Sequence, residues 1–143
     1  MSTKTAAYVR DIQKINTDQL VKVFDPNQSS DKLNVFGKEF AQVLGDGGSN
    51  KYGTTKVFAT EKLSERDILN YAQSLAGPVP LPEQKTPLGI VYYAKKDGMT
   101  INLRNFSRSK DDTKARWTVE VIKNEQLNNL QGKVKKPIEI KFR

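Results

Sequence analysis

The hydrophobic pattern of the chain changes its period at about residue 89. Before that point apolar residues recur at helical spacing, and after it they alternate with polar residues. Asp97-Gly98 separates two β-rich runs, a pattern typical of a tight hairpin turn. Further strands are predicted at 116–122 ("RWTVEVI") and 137–142 ("PIEIKF"). Helices followed by an antiparallel meander predict an α+β fold, with N-terminal helices packed on a C-terminal antiparallel sheet of about four strands.

The N-terminal third is predicted to be helical. Residues 5–24 have roughly helical apolar spacing and are expected to form one or two short helices. After turn-forming residues at 25–32, Ser30 or Asp31 can cap another helix, which would end at Gly45. Its apolar positions would be Leu33, Phe36, Phe40, Val43 and Leu44.

The clearest helical segment begins after Ser64. Asp67 stands three residues later, as in a capping box, and Gly77 is a typical helix end. A short strand is predicted just before it, at 56–60. The prolines in 78–87 predict an extended connector without a helix or a central strand.

Composition excludes several kinds of chemistry. The 143 residues include no cysteine and no histidine, which removes disulfides, thiolate metal sites and every Ser-His or Cys-His nucleophile. The net charge of +8 is concentrated late in the chain: residues 90–143 hold 13 Lys/Arg against 6 Asp/Glu, whereas residues 1–89 hold 11 against 10. A basic surface on one group of elements favours a polyanionic partner, most often nucleic acid; a basic surface kept for solubility is the alternative.

Strand alternation divides the predicted sheet into an apolar and a polar face. The apolar face would carry Met99, Ile101, Leu103, Trp117, Val119 and Val121. The polar face would carry Thr100, Asn102, Arg104, Arg116, Thr118 and Glu120, with Ser107 and Arg108 at a strand end. An ordinary solvated face would look the same. The nearby aromatic residues Tyr92, Tyr93 and Phe106 fit either base stacking or the core.

The polar face has the residue types needed to cleave RNA without a metal or cofactor. Internal attack by the 2′-hydroxyl requires a proton acceptor, a proton donor and cations at the phosphate. Glu120 is the candidate base, with Arg104 and Arg116 as phosphate clamps. Thr118 and Ser107 would donate hydrogen bonds to the same oxygens. Proton donation or substrate binding is assigned to Tyr52, Lys95, Lys96, Asn102 and Arg108.

Three stretches resemble a known family. "GTTKVFATEKLSERDILNYAQSLAG", "YYAKKDGMTINLRNFSRS" and "ARWTVEV" are similar to C-terminal ribonuclease domains of bacterial contact-dependent growth inhibition proteins and related polymorphic toxins. The resemblance covers about residues 53–122. It implies a fold of the barnase, EndoU, colicin nuclease or RelE type, with Arg104, Ser107, Arg116 and Thr118 near the active site. Residues 1–48 would be a helical N-terminal segment and 49–143 the ribonuclease toxin domain, together forming one compact unit.

The resemblance also implies partners and a location. It implies cleavage of tRNA in a competing bacterium and an acidic cognate immunity protein; some members of the family also use translation elongation factor Tu. The domain would be exported within a large cell-surface protein and delivered to the target-cell cytoplasm, without stable membrane insertion. Many such nucleases use a histidine, so its absence implies either a Lys/Arg/Thr/Glu site or a replaced catalytic residue. A noncatalytic RNA-binding or protein-interaction module using the basic face is the competing interpretation.

Overall fold

The computed structural model describes residues 3–27, 30–107, 110–128 and 137–143. These residues form four helices and one eight-stranded sheet. The helices are α1 (Thr3–Phe24), α2 (Glu65–Ala76), α3 (Lys110–Thr113) and α4 (Glu125–Asn128). The strands are β1 (Lys32–Val35), β2 (Lys38–Val43), β3 (Thr55–Phe58), β4 (Glu83–Thr86), β5 (Gly89–Lys96), β6 (Met99–Arg104), β7 (Trp117–Ile122) and β8 (Ile138–Phe142). None of these helices is both long and apolar enough to cross a membrane.

The sheet is larger than predicted and is mixed. Its strand order is β1-β2-β3-β8-β7-β6-β5-β4, with β3 and β8 parallel and the other neighbouring pairs antiparallel. The prediction of about four antiparallel strands is therefore wrong. The antiparallel meander runs from β4 to β8, and β8 also pairs in parallel with the N-terminal strand β3. The first three strands thereby extend the sheet.

The helix predicted from Leu33 to Leu44 is also wrong, since these residues form the β1–β2 hairpin. Its turn contains Phe36 and Gly37, both with positive φ (49° and 87°), which matches the geometry favoured in two-residue hairpins. Leu33 and Val35 are buried on alternate positions of β1. The apolar residues therefore follow a twofold period, although their spacing is also compatible with a helix.

Other local predictions are confirmed. The Ser64 hydroxyl accepts a hydrogen bond from the Asp67 backbone N–H, and the Asp67 carboxylate accepts one from the Ser64 N–H, which completes the capping box of α2. Gly77 follows the helix, and Asp97-Gly98 forms the β5–β6 turn. The residues of α1 form one continuous helix without a break at Asn16.

The main core lies between the sheet and the helices. α1, α2 and α4 contribute buried residues that pack against the apolar face of the sheet. Trp117 belongs to this core, as predicted, and its ring lies 6.2 Å from the ring of Tyr92. The opposite face of the sheet is not covered by these three helices. The polar residues of the central strands lie there.

Candidate active site

Strand register brings polar side chains from three neighbouring strands together. Arg104 on β6 is paired with Thr118 on β7, and Thr118 is paired with Lys141 on β8. Two positions along, Glu120 is paired with Glu139. Because paired residues project from the same side of a sheet, these side chains share the face away from the helices.

An open cleft of ≈770 Å³ lies on this face, and we call it the polar cleft. Its walls combine charged and polar groups with two apolar side chains: Thr55, Leu88, Arg104, Phe106, Ser107, Glu139 and Lys141. Leu88 is 76% exposed at the turn between β4 and β5. The cleft therefore offers charges at the sheet and apolar surface at its rim.

Arg104 lies between the two glutamates. Its Nη2 donates a 2.8 Å hydrogen bond to Glu139 Oε1, and its Nη1 lies 4.0 Å from Glu120 Oε2. Thr55 on β3 donates a 3.0 Å hydrogen bond to Glu139 Oε2. About a fifth of each side chain of Arg104 (18%), Glu120 (20%) and Glu139 (22%) is exposed. The three charged groups are thus held in fixed positions but remain accessible to a ligand.

The two carboxyl groups have opposite pKa shifts. Burial raises the pKa of Glu120, and the negative charge of Glu139 adds to this rise against the attraction of Arg104. Burial also acts on Glu139, but hydrogen bonds from Arg104 and Thr55 outweigh it and lower the pKa of that carboxyl. The protons of two such close carboxyls belong to the pair. Glu120 therefore takes up a proton more readily than Glu139 does.

Lys141 is a nearly buried cation at the floor of the polar cleft. It is 5% exposed, and its Nζ donates hydrogen bonds to Ser107 Oγ (3.1 Å) and Thr118 Oγ1 (3.3 Å). Burial lowers the pKa of its ammonium group, against the stabilising charge of Glu139. A lysine that loses its proton more readily than usual is better suited to donate that proton in a reaction.

The structure brings four of the predicted site residues together: Arg104, Ser107, Thr118 and Glu120. Glu139, Lys141 and Thr55 were missed. The strand at 137–142 was predicted, and alternation alone would have placed Glu139 and Lys141 opposite its apolar residues. Locating that face beside Thr118 required the pairing of β8 with β7, which no local pattern specifies.

Arg116 lies at the end of β7, outside the polar cleft. Its Nη2 lies 2.9 Å from each of three main-chain oxygens, those of Thr60, Leu63 and Arg143. It lines a separate pocket. The structure does not bring its guanidinium together with Arg104.

The predicted substrate-binding residues are spread more widely. Asn102 lies opposite Glu120, and its Oδ1 is buried without a hydrogen-bond partner in the described part of the chain. Lys95 shares this face, whereas Lys96 lines a pocket on the helix-covered side. Tyr52 is 62% exposed in the loop before β3 and does not line the cleft. Arg108 lies outside the described residues.

The aromatic candidates separate by face. Tyr92 packs against Trp117 on the helix-covered side, so it belongs with the core. Phe106 lines the polar cleft, and Tyr93 is 39% exposed on β5, opposite Asn102. Only the latter two are therefore positioned to meet a ligand on the polar face.

Comparisons with protein-family models, curated proteins and solved structures found no match. Among the described residues, no group of three or more His, Cys, Asp or Glu side chains could hold a metal ion. The geometry of the polar cleft is therefore the basis for assigning a function.

Proposed function

We propose that the protein is a metal-independent endoribonuclease whose active site is the polar cleft. One observation carries the proposal: the cations Arg104 and Lys141 and the carboxyl of Glu139 line one open cleft, and Glu120, whose pKa shift is opposite to that of Glu139, is paired with Glu139 on the same face of the sheet. Cleavage through the RNA 2′-hydroxyl needs these three functions: phosphate binding, proton uptake and proton donation.

The proposed reaction assigns each function to a side chain. Arg104 binds the non-bridging phosphate oxygens, because a guanidinium offers paired donors that match them. The 2′-oxygen attacks phosphorus, and its proton passes to the Glu120–Glu139 pair. The bond from phosphorus to the 5′-oxygen breaks, and Lys141 protonates that leaving oxygen. The products are a 2′,3′-cyclic phosphate and a 5′-hydroxyl.

Arg104 changes its hydrogen-bond partner when the substrate binds in this reaction. A phosphate entering the cleft competes with Glu139 for Arg104, because both anions accept hydrogen bonds from the same guanidinium. Releasing Glu139 from Arg104 would raise the pKa of that carboxyl. Substrate binding would therefore make the carboxyl pair a stronger base at the moment when it is needed.

The substrate and partners follow from charge and from the family resemblance. The net charge of +8 favours RNA over a neutral ligand. The resemblance adds tRNA as the proposed substrate, an acidic immunity protein as the proposed inhibitor and delivery from a large surface protein into a competing cell. Elongation factor Tu is an accessory partner to be tested in the same assay.

The test is cleavage of a tRNA pool in the presence of EDTA, with chemical mapping of the new ends. We expect cyclic phosphate ends. Glu139→Gln should reduce cleavage by about 10²–10⁴-fold, the usual contribution of an acid–base group. Glu83→Gln, which removes an exposed carboxylate from edge strand β4, is the matched control and should retain activity. RNA binding by the unaltered chain without cleavage would instead support the noncatalytic module.

A further inference from the structure

A second pocket lies beyond the end of the polar cleft. It has a volume of ≈330 Å³ and is lined by Glu61, Lys114, Arg116 and Arg143. Three of these four residues are cations. None of the three forms an ion pair with a carboxylate within the ranges that the structure describes. The pocket therefore has an excess of positive charge.

Arg116 is fixed by main-chain oxygens. Its Nη2 is the only guanidinium nitrogen that hydrogen-bonds to the described residues, and its acceptors are main-chain oxygens. The carbonyl oxygens of Thr60 and Leu63 hold the side chain without neutralising its charge. The Nε and Nη1 of Arg116 make no hydrogen bond within the part of the chain that the structure describes, although the residue lines the pocket.

Arg143 is fixed in the same manner by main-chain oxygens of α3 and of the loop between β2 and β3. Its Nε donates to Thr113 O (2.9 Å), and its Nη2 donates to Gly47 O (3.0 Å). Gly47 has a φ of 74°, and a Cβ there would lie 2.9 Å from Asp112 O. This close approach requires glycine and brings α3 and the loop that contains Gly47 to the same guanidinium. The Nη1 donors of Arg143 have no partner among the residues described.

The second pocket continues the polar face of the sheet. Arg116 N donates to Phe142 O (2.7 Å) and Arg143 N donates to Phe58 O (3.3 Å), so both residues extend the strand pairing by one position. Arg143 follows Lys141 by two residues and therefore projects from the same face, roughly 6.6 Å further along the strand. A chain with regularly spaced phosphates could contact both cations.

We propose that the pocket formed by Lys114, Arg116 and Arg143 binds a backbone phosphate of the RNA at a position other than the bond being cut. This inference takes RNA from the proposed function but does not depend on cleavage. It makes the preferred ligand a polynucleotide that spans both the polar cleft and the second pocket. A mononucleotide would occupy the cleft alone.

The experiment measures binding of a fully 2′-O-methylated RNA, which cannot be cut, over a range of salt concentrations. Lys114 is exposed and makes none of the bonds that hold the pocket together. Lys114→Gln should weaken binding and reduce the slope of log K against log salt by ~0.7, the contribution of one phosphate contact in a single strand. The control is Lys38→Gln, which removes an exposed lysine at the start of β2 and should change the slope less.

Two further measurements exclude general effects. Glu61→Gln removes the pocket's carboxylate and should tighten binding of the same RNA, a gain that partial unfolding cannot produce. A 3′-phosphorylated mononucleotide should bind Lys114→Gln and the unaltered protein equally, because it is too short to reach the second pocket. Equal affinities of the two proteins for the long RNA would overturn the proposal.

The outcomes also separate this inference from the proposed enzyme. A Lys114-dependent salt slope without cleavage of natural RNA would retain the phosphate subsite and reject the nuclease. Cleavage with a salt slope that is the same for Lys114→Gln and Lys38→Gln would retain the nuclease and reject the subsite.

Discussion

Two buried lysines lie on neighbouring strands and on opposite faces of the sheet. Lys56 on β3 faces the helices and is 0% exposed, whereas Lys141 on β8 faces the polar cleft and is 5% exposed. Burial lowers the pKa of both, to about 8 for Lys56. The two residues nevertheless have different surroundings.

Lys56 is bound to a helix end. Its Nζ donates to Val23 O, one of the last carbonyls of α1, and lies 5.1 Å from the centre of the Phe24 ring. Helix C-termini favour cations, because their last carbonyls lack partners within the helix. Lys141 is instead bound to two hydroxyls beside two carboxylates and lines an open cleft. The comparison indicates that the partners of a buried charge, and its access to a ligand, distinguish a stabilising role from a chemical one.

The largest expected effect is on RNA cleavage. Lys141→Met should reduce kcat/KM by about 10²–10⁴-fold, because it removes the proposed proton donor. Lys56→Met should leave cleavage unchanged, since Lys56 lies on the other face. Both variants should be assayed after far-UV circular dichroism shows that they are folded. Equal losses in the two variants would remove the distinction between the lysines.

The second largest expected effect is on the stability of the protein, and it concerns Lys56. The folded pKa of Lys56 is about 8 and its ordinary value is 10.5, so the unfolded chain binds more protons between these pH values. The free energy of unfolding of the unaltered protein should therefore rise, relative to that of Lys56→Met, by on the order of 3 kcal/mol from pH 8 to 10.5. Urea denaturation at several pH values measures this difference. Losing the bond to Val23 lowers the free energy of unfolding of Lys56→Met by the same amount at every pH, so it does not affect this pH dependence. If the free energies of unfolding of the two proteins ran parallel against pH, the prediction would be contradicted.

Arg116 sharpens the comparison, because it lies at the end of the polar face but has the kind of partners that Lys56 has. Arg116→Gln removes a charged donor from three main-chain oxygens. We expect the free energy of unfolding to fall by about 2 kcal/mol, the range for hydrogen bonds to charged groups. Lys114 lines the same pocket, and Lys114→Gln is the control, whose free energy of unfolding should equal that of the unaltered protein. A fully stable Arg116→Gln would show that those carbonyls find other donors.

The sequence-based predictions succeeded where the determinants are local. The capping box of α2 and the Asp97-Gly98 turn each lie within a few residues, and strand alternation correctly assigned Arg104 and Glu120 to the polar face. The β1–β2 hairpin was missed because its apolar spacing also fits a helix. Its strongest local indication, Phe36-Gly37, places a bulky residue at a positive φ that such residues rarely adopt.

The missed half of the polar cleft has a nonlocal cause. Glu139 and Lys141 come beside Glu120 and Thr118 only because β8 inserts between β3 and β7. Thr55 reaches Glu139 through the parallel β3–β8 pair, across 84 residues of sequence. Contacts over such separations depend on which strands pair, and the alternation within one strand carries no information about that choice.

The smallest expected effect tests the carboxyl pair itself. The folded pKa of Glu120 is raised above 4.5, so the folded protein binds more protons there and loses stability as pH rises through that range. Glu120→Gln should therefore increase the free energy of unfolding at pH 7, and the gain should vanish below pH 4.5. Glu139 has a lowered pKa, so Glu139→Gln should decrease stability at pH 7.

Denaturation of both variants at pH 7 and pH 4 distinguishes the two carboxyls. The two variants should change the free energy of unfolding at pH 7 in opposite directions. That result, together with reduced cleavage by Glu120→Gln, would mean that the protein retains a destabilising carboxyl for its chemistry. A loss of stability in both variants would instead mean that Arg104 stabilises the two charges equally. Glu120 would then be a structural ion-pair partner, and proton uptake would fall to Glu139 alone.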